Sequence, residues 1–170
     1  FLINSTFYSL VFSPDGKYVL TASWDKTAKI WETSTGKEIQ TFSGHSDELL
    51  SAVFRPDSKY VLTSSHDCKL KLWETATGKE MLTLISIDSN DWIHLSPSGH
   101  FDASPGAMEK MYFVSRLEVI EFEQLKERYY EPGLWGKQLG SNTEPLRDVK
   151  GLSEIKLSPS INLALANETL

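Results

Sequence analysis

Histidine, serine and aspartate, the residue types that carry acyl-transfer chemistry, stand together in the chain as His45, Ser65 and Asp67, with Trp73 close behind. A serine nucleophile, a histidine base and a carboxylate orienting that base would be the constellation of a hydrolase. Two features oppose that reading. Ser23, Asp25 and Trp31 stand 42 residues before Ser65, Asp67 and Trp73 in the same order, and one active site needs one set. A nucleophilic serine also tends to sit on a strained, glycine-rich elbow, and neither serine has one. Cys68, next but one to His66, suggests a thiol or metal site, but it is the sole cysteine and has no second at ligand spacing. Asp102, near His100, is the one loose carboxylate that a glycosidase-like pair could draw on, and a turn role is the simpler reading. No glycine-rich loop follows a strand in the manner of a phosphate site. The residues therefore predict no catalytic site, no metal site and no cofactor.

What must position these side chains is a repeat. Tyr18–Trp31 reads YVLTASWDKTAKIW, and Tyr60–Trp73 reads YVLTSSHDCKLKLW. Aligning Ser9–Phe42 with Ser51–Leu84 gives 21 identities in 34 positions. A period near 40 residues marks either four-stranded β units or helical pairs. The helical alternative fails, because no window of the repeat carries apolar residues at i, i+3, i+4 and i+7. The strand signals are direct. SLVF precedes SPDG and SAVF precedes RPDS, where Pro followed by Asp sets a tight turn. YVLTAS and YVLTSS are rich in Tyr, Val and Thr, as pleated strands prefer. AKIW and LKLW alternate apolar and basic residues, ETSTGK and ETATGK are turns, and EIQTF and EMLTL are the last strands.

The order Gly44–His45, Ser65–Asp67, Trp73 resembles the WD-repeat family. That resemblance implies a β-propeller blade, in which His45, Ser65, Asp67 and Trp73 form a buried hydrogen-bonded chain. The first copy keeps Ser23, Asp25 and Trp31, while Leu2–Ile3 stand where its Gly-His would be. It also implies that partners bind across the face carrying these turns, at Trp24, Lys26, Asp47, Leu49, His66 and Lys69. Trp24 is the most suggestive of these as a binding hot spot, with packing against a neighbouring blade as its alternative.

The expected fold is all-β: a partial β-propeller of two clear blades (9–42 and 51–84) and one degenerate blade (91–120), with a short helical C-terminal extension. WIHLSPSGHFDASPGA keeps the strand–turn–strand logic of the degenerate blade, and MYFVS and LEVIEF are its expected third and fourth strands. Phe122, Leu125 and Tyr129 then recur at helical spacing before Pro132–Gly133. Residues 121–140 read as a helical cap on the propeller edge. Residues 141–170 read as a polar linker and the opening strand of a further β domain. The strings HFDASPGA, FEQLKERYYEPGLWGKQLG and EPLRDVKGLSEIKLSP resemble a segment of bacterial WD-repeat proteins in which a caspase-like peptidase domain follows. The His/Cys dyad of such a peptidase is not in this sequence.

A formal net charge of −6 and a pI near 5.2 argue against non-specific binding of nucleic acid or anionic membrane. One cysteine rules out a disulfide within the chain and suits a reducing, cytoplasmic setting. Three functions follow as expectations. The first is a non-catalytic protein-interaction scaffold that takes a protein or peptide partner. The second is the sensor region of a bacterial caspase-like protease, with the peptidase downstream in the same parent chain. The third, and weakest, is a propeller-type hydrolase. Because the smallest closed propellers need about four blades, the scaffold reading requires further blades from the parent chain or from another chain.

Overall fold

The computed structural model describes residues 6–115 and 118–147. The first repeat folds as β1 (Phe7–Phe12), β2 (Tyr18–Ser23), β3 (Thr27–Glu32) and β4 (Glu38–Ser43), an antiparallel sheet in chain order. The second gives β5 (Leu49–Phe54), β6 (Tyr60–Ser65), β7 (Lys69–Glu74) and β8 (Glu80–Ser86) in the same order. Even the irregularities repeat. Register shifts fall between Phe7 and Ser9 and between Ile30 and Trp31, and again between Leu49 and Ser51 and between Leu72 and Trp73. The β1–β2 turn places Gly16 at φ 71°, and its counterpart Ser58 holds φ 58°. That left-handed backbone costs a residue with a Cβ about 1 kcal/mol.

Cross-strand register defines two faces on each blade. The leading face of the second carries Ala52, Thr63, Lys71 and Thr83 in one row, and Phe54, Val61, Trp73 and Glu80 in the next. The trailing face of the first carries Val11, Leu20, Ile30 and Gln40, then Ser9, Ala22, Ala28 and Phe42. These two faces meet. Leu20, Ala22, Ala28, Ile30 and Phe42 bury themselves against Leu49, Ala52, Val61 and Trp73, and each large apolar side chain so buried contributes about 1.5–3 kcal/mol.

The expected third blade does not form as a separate sheet. β9 (Trp92–Leu95) pairs antiparallel with β8, and β10 (Phe101–Ala103) pairs with β9, so they extend the second blade to six strands. β11 (Tyr112–Ser115) and β12 (Glu118–Glu121), read as its third and fourth strands, pair with each other in a two-stranded sheet. The connecting loops explain the difference. Between β4 and β5, Gly44 at φ 147° and the buried His45 draw the chain across to a new sheet. After β8, the Asp88 carboxylate accepts from the N–H groups of Asn90 and Asp91, both at 2.8 Å, and Ile87 N–H donates to the Asp91 carbonyl. That closes a hairpin instead.

α1 (Pro105–Lys110) follows, with Ser104 as N-cap and Pro105 in its first turn. α2 (Phe122–Tyr129) and α3 (Leu134–Gln138) form the helical extension. Leu125 and Tyr129 pack with Ile85, Ile93, Phe101 and Ala107. Leu134, Trp135 and Leu139 of the α3 region, with Leu146, pack on Leu62, Leu72, Leu82 and Leu84, which by register is the trailing face of the second blade. Residues 141–147 are irregular. The further β domain expected beyond them, and Leu2–Ile3, lie outside the described residues.

Candidate functional site

The side chains that suggested hydrolysis form a relay, and the relay is fully spent inside the blade. Trp73 Nε1–H donates to Thr63 Oγ1 at 2.8 Å. Thr63 Oγ1 and His45 Nε2 are 2.8 Å apart, and His45 Nδ1 lies 2.9 Å from Asp67 Oδ2. The Ser46 N–H also donates to Asp67 Oδ2, and the Lys69 N–H to Oδ1, each at 3.0 Å. Burial pushes the His45 pKa down, and this outweighs the opposing bond and charge of Asp67. The ring is therefore neutral near pH 7, with Nδ1–H donating to Asp67 and Nε2 accepting from Thr63. Burial acts to raise the Asp67 pKa, but the bonds from Ser46, His45 and Lys69 together win, and the carboxyl sits below its ordinary value. A satisfied chain of this kind fixes one register between loop, strand and strand.

The serine expected in this chain is not in it. Ser65 Oγ donates to the Asp47 carbonyl at 3.0 Å and accepts from the Asp67 N–H at 3.1 Å. Ser23 does the same work in the first blade, donating to the Thr6 carbonyl and accepting from the Asp25 N–H. Both serines point along the strand end and brace the turn, while the relay runs through the face two residues earlier. Thr63 and its counterpart Thr21, which accepts from Trp31 Nε1–H at 3.0 Å, are the hydroxyls that sequence reading missed. Their signal was available: each Thr stands ten residues before its Trp, on the same face and diagonal to it across β2–β3 or β6–β7, with Lys29 or Lys71 directly opposite the Thr. Asp25 accepts from the N–H and hydroxyl of Thr27 at 2.9 and 2.6 Å.

A second polar set was also missed. Lys71 Nζ donates to Glu80 Oε2 at 2.6 Å and to Thr83 Oγ1 at 3.1 Å, and lies 5.7 Å above the Trp73 ring. Lys29, Glu38 and Trp31 repeat the ion pair (2.8 Å) and the ring contact (5.7 Å), and Thr41 Oγ1 donates to Glu38 Oε1 at 2.7 Å as Thr83 Oγ1 does to Glu80 Oε1 at 2.6 Å. The two sets differ in cover. The Lys71 and Glu80 side chains are 5% and 23% exposed, those of Lys29 and Glu38 28% and 42%.

At the turn end of the blades, Trp24 is 58% exposed. His66 and Asp47, on the loops of the second blade, are exposed, and Lys69 is half-buried. Lys26 is exposed but tethered, its Nζ donating to the Ser46 carbonyl at 2.8 Å. Leu49 does not belong with them: the register shift after it turns its side chain into the inter-blade core, where it is 1% exposed.

Asp102 is not a turn residue. It lies buried in β10 and accepts from the Gly133 N–H at 2.8 Å. Neighbouring bonds continue this latch. Glu131 N–H donates to the Phe101 carbonyl at 2.7 Å, Lys137 Nζ donates to Glu131 Oε1, and Arg147 N–H donates to Glu131 Oε2. His100 Nε2 hydrogen-bonds the Arg147 carbonyl at 2.9 Å. Cys68 is exposed and sits in a turn at φ 61°. Among the described residues no three His, Cys, Asp or Glu side chains are grouped to hold a metal, and no helix is long and apolar enough to cross a membrane.

A four-stranded antiparallel unit closed by a Trp–Thr–His–Asp relay defines a class of repeat. The WD domain, G-beta repeat family matches residues 4–32 and 36–74, so this part of the chain is built of WD repeats. The chain is 46% identical over 41 residues to WD repeat domain-containing protein 83 of Danio rerio, covering 24% of this chain and 13% of that protein. It is 53% identical over 32 residues to nuclear distribution protein PAC1-2 of Postia placenta, covering 19% and 8%. With Notchless protein homolog of Arabidopsis thaliana it shares 47% over 34 residues, covering 20% and 7%. The matched stretches are about one blade long and span about a tenth of these relatives.

Proposed function

We propose that this chain is a non-catalytic interaction scaffold whose blades present the turn end of the sheet to a protein or peptide. One observation carries the reading. The polar groups capable of chemistry are consumed in holding the blade together, while an aromatic side chain, Trp24, stands 58% exposed at the turn end of the first blade. An exposed Trp, with His66 and Asp47 exposed on the loops of the next blade, offers a large apolar contact with polar groups at the same turn end, the composition of a binding hot spot. WD-repeat proteins generally act in this way, as scaffolds without catalysis. The parent chain, with whatever blades complete the ring, should be used as bait beside a Trp24→Ala/His66→Ala variant. A specific protein retained by the natural chain and lost from the variant is the expected result. Equal retention by both removes this face from the site.

A second reading makes the scaffold the sensing part of a longer chain with a caspase-like peptidase. It rests on the resemblance of the tail strings alone. HFDASPGA and the YYEPGLWGK stretch, strings that suggested the resemblance, build one latch through Phe101, Asp102, Glu131 and Gly133. Reading the parent gene past Leu170 decides it: separated His and Cys motifs after a β-sandwich support it, and a stop codon there ends it.

A further inference from the structure

His94 carries a polar atom without a partner. Its Nδ1 is buried and makes no hydrogen bond among the described residues. Buried polar groups nearly always find one. Packing holds the ring instead. It stands on β9 and makes tilted contacts with Trp92, 4.4 Å away between centroids, and with Trp135 of α3, 5.7 Å away. Register places Leu84 of β8 and Asp102 of β10 opposite it on its two sides. Asp102 in turn accepts from the Gly133 N–H at the start of α3, at 2.8 Å. One imidazole therefore stands beside two attachments of α3: the Trp135 ring and the carboxylate that fixes the start of the helix.

The neutral ring suits this place and the charged ring does not. Neutral imidazole has one N–H, and Nδ1 then stands as an unfilled acceptor. Imidazolium has an N–H on both nitrogens, so the buried Nδ1–H of a charged ring would meet no acceptor. Burial accordingly holds the His94 pKa below its ordinary value, against the opposing pull of Asp102. Few groups among the described residues face it. β8 brings Leu84 and β9 brings Trp92, neither of which titrates. β10 brings Asp102. Tyr130, after α2, stays protonated, its pKa raised by burial and by Asp102. α3 brings Trp135, and its Lys137 is committed to Glu131 and Glu144. A charged His94 has two outlets. It turns toward water and leaves Trp135, or it draws on Asp102 and weakens the bond to Gly133. Both loosen α3.

We propose that His94 is an acid-operated release for α3: proton uptake by its ring frees Leu134, Trp135 and Leu139 from the sheet while the repeats stay folded. What opens is apolar. Those three side chains pack with Leu62, Leu72, Leu82 and Leu84, so release brings both sides of that contact into water. His94 lies outside both repeats and away from the turn carrying Trp24, so this inference does not rest on the scaffold reading. Two other histidines are buried, His45 in the relay and His100 on the Arg147 carbonyl, and the test must separate them from His94.

Hydrogen exchange of the 170-residue chain, corrected for the direct effect of pH on amide exchange, tests it. As pH falls below about 6.5, the ordinary histidine value, amides of residues 133–140 should lose protection by up to about tenfold per pH unit, the slope of one proton taken up on opening. Amides of β5–β8 should stay protected. His94→Phe keeps a ring against Trp135 and cannot take a proton, so its 133–140 protection should be flat over the same range. NMR of the His94 ring in the natural chain should show it charging as that protection is lost, and this decides the matter if His94→Phe does not fold. Three results would each overturn the proposal. One is protection of 133–140 that does not change with pH. Another is equal acid sensitivity in a folded His94→Phe chain, which would place the effect on His100 or His45. The last is a His94 that charges with protection of 133–140 unchanged.

Discussion

Thr63 holds together one donor, Trp73 Nε1–H, and one acceptor, His45 Nε2, inside the blade. Replacing it by Val keeps the shape and strands both Trp73 Nε1–H and His45 Nε2 in a buried site. An unsatisfied buried polar group costs about 1–3 kcal/mol, so Thr63→Val should destabilise by about 2–4 kcal/mol, seen as a lower urea midpoint with unchanged slope. Ser65→Ala, which loses a brace at the surface of the turn, should cost about 1 kcal/mol. The reverse order would place the serine, as the sequence suggested, back in the relay. The same residues set a pH dependence. His45 and His94 are both held below their ordinary pKa by burial, which prevails over Asp67 in one case and Asp102 in the other. The unfolded chain then binds more protons than the folded one, so their contribution is complete above about pH 6.5 and falls away as pH drops through the depressed folded values. Asp67, also lowered, adds a second loss below about pH 4. Urea midpoints taken from about pH 8 downward should be flat at first and then fall in two stages. A midpoint that rises on acidification to about pH 5.5 would show a charged histidine to be favoured in the fold.

At the scale of elements, the tail is fastened by β10. Asp102 meets the N–H of Gly133, whose φ of 71° turns the chain out of the α2–α3 connection toward α3. His94 on the adjacent strand makes tilted ring contacts with Trp92 and with Trp135 of α3, at 4.4 and 5.7 Å between centroids. Asp102→Ala leaves the Gly133 N–H without its acceptor and loosens the segment that Glu131 and Lys137 complete. We expect proteases to cut that variant between β12 and residue 147 under conditions where the natural chain resists, while the two repeats stay protected. Equal resistance would mean that the apolar contacts of Leu134 and Tyr129 hold the tail unaided.

At the scale of the whole molecule, blade stacking decides what a side chain is worth. Lys71–Glu80 and Lys29–Glu38 are the same ion pair written twice, one covered by a neighbouring sheet and one not. Glu80→Ala leaves an ammonium in a buried site and should cost about 3 kcal/mol. Glu38→Ala breaks a solvent-facing pair and should stay within about 0.5 kcal/mol. Similar costs for both would argue that the leading face of the first blade is covered in solution.

The repeat sequence by itself determined the two blades. Period-two alternation, Pro-Asp turns and a 42-residue offset are local signals, and they placed eight strands and their order because a meander needs no information from elsewhere. The resemblance carried by Gly44–His45, Ser65–Asp67 and Trp73 also implied that His45, Asp67 and Trp73 are partners. Which hydroxyl joins them was a tertiary matter: Ser65 and Thr63 lie two residues apart on one strand face, and only the side chains opposite tell them apart. The fate of residues 91–120 was tertiary too. A strand–turn–strand pattern reads alike whether it opens a new blade or widens an old one, and the choice rested on a loop without Gly-His and on the edge of β8 that it folded back to meet. Leu49 and Asp102 were misplaced for the same reason. A register shift and a distant helix start, neither visible from neighbours in sequence, settled which way each side chain faces.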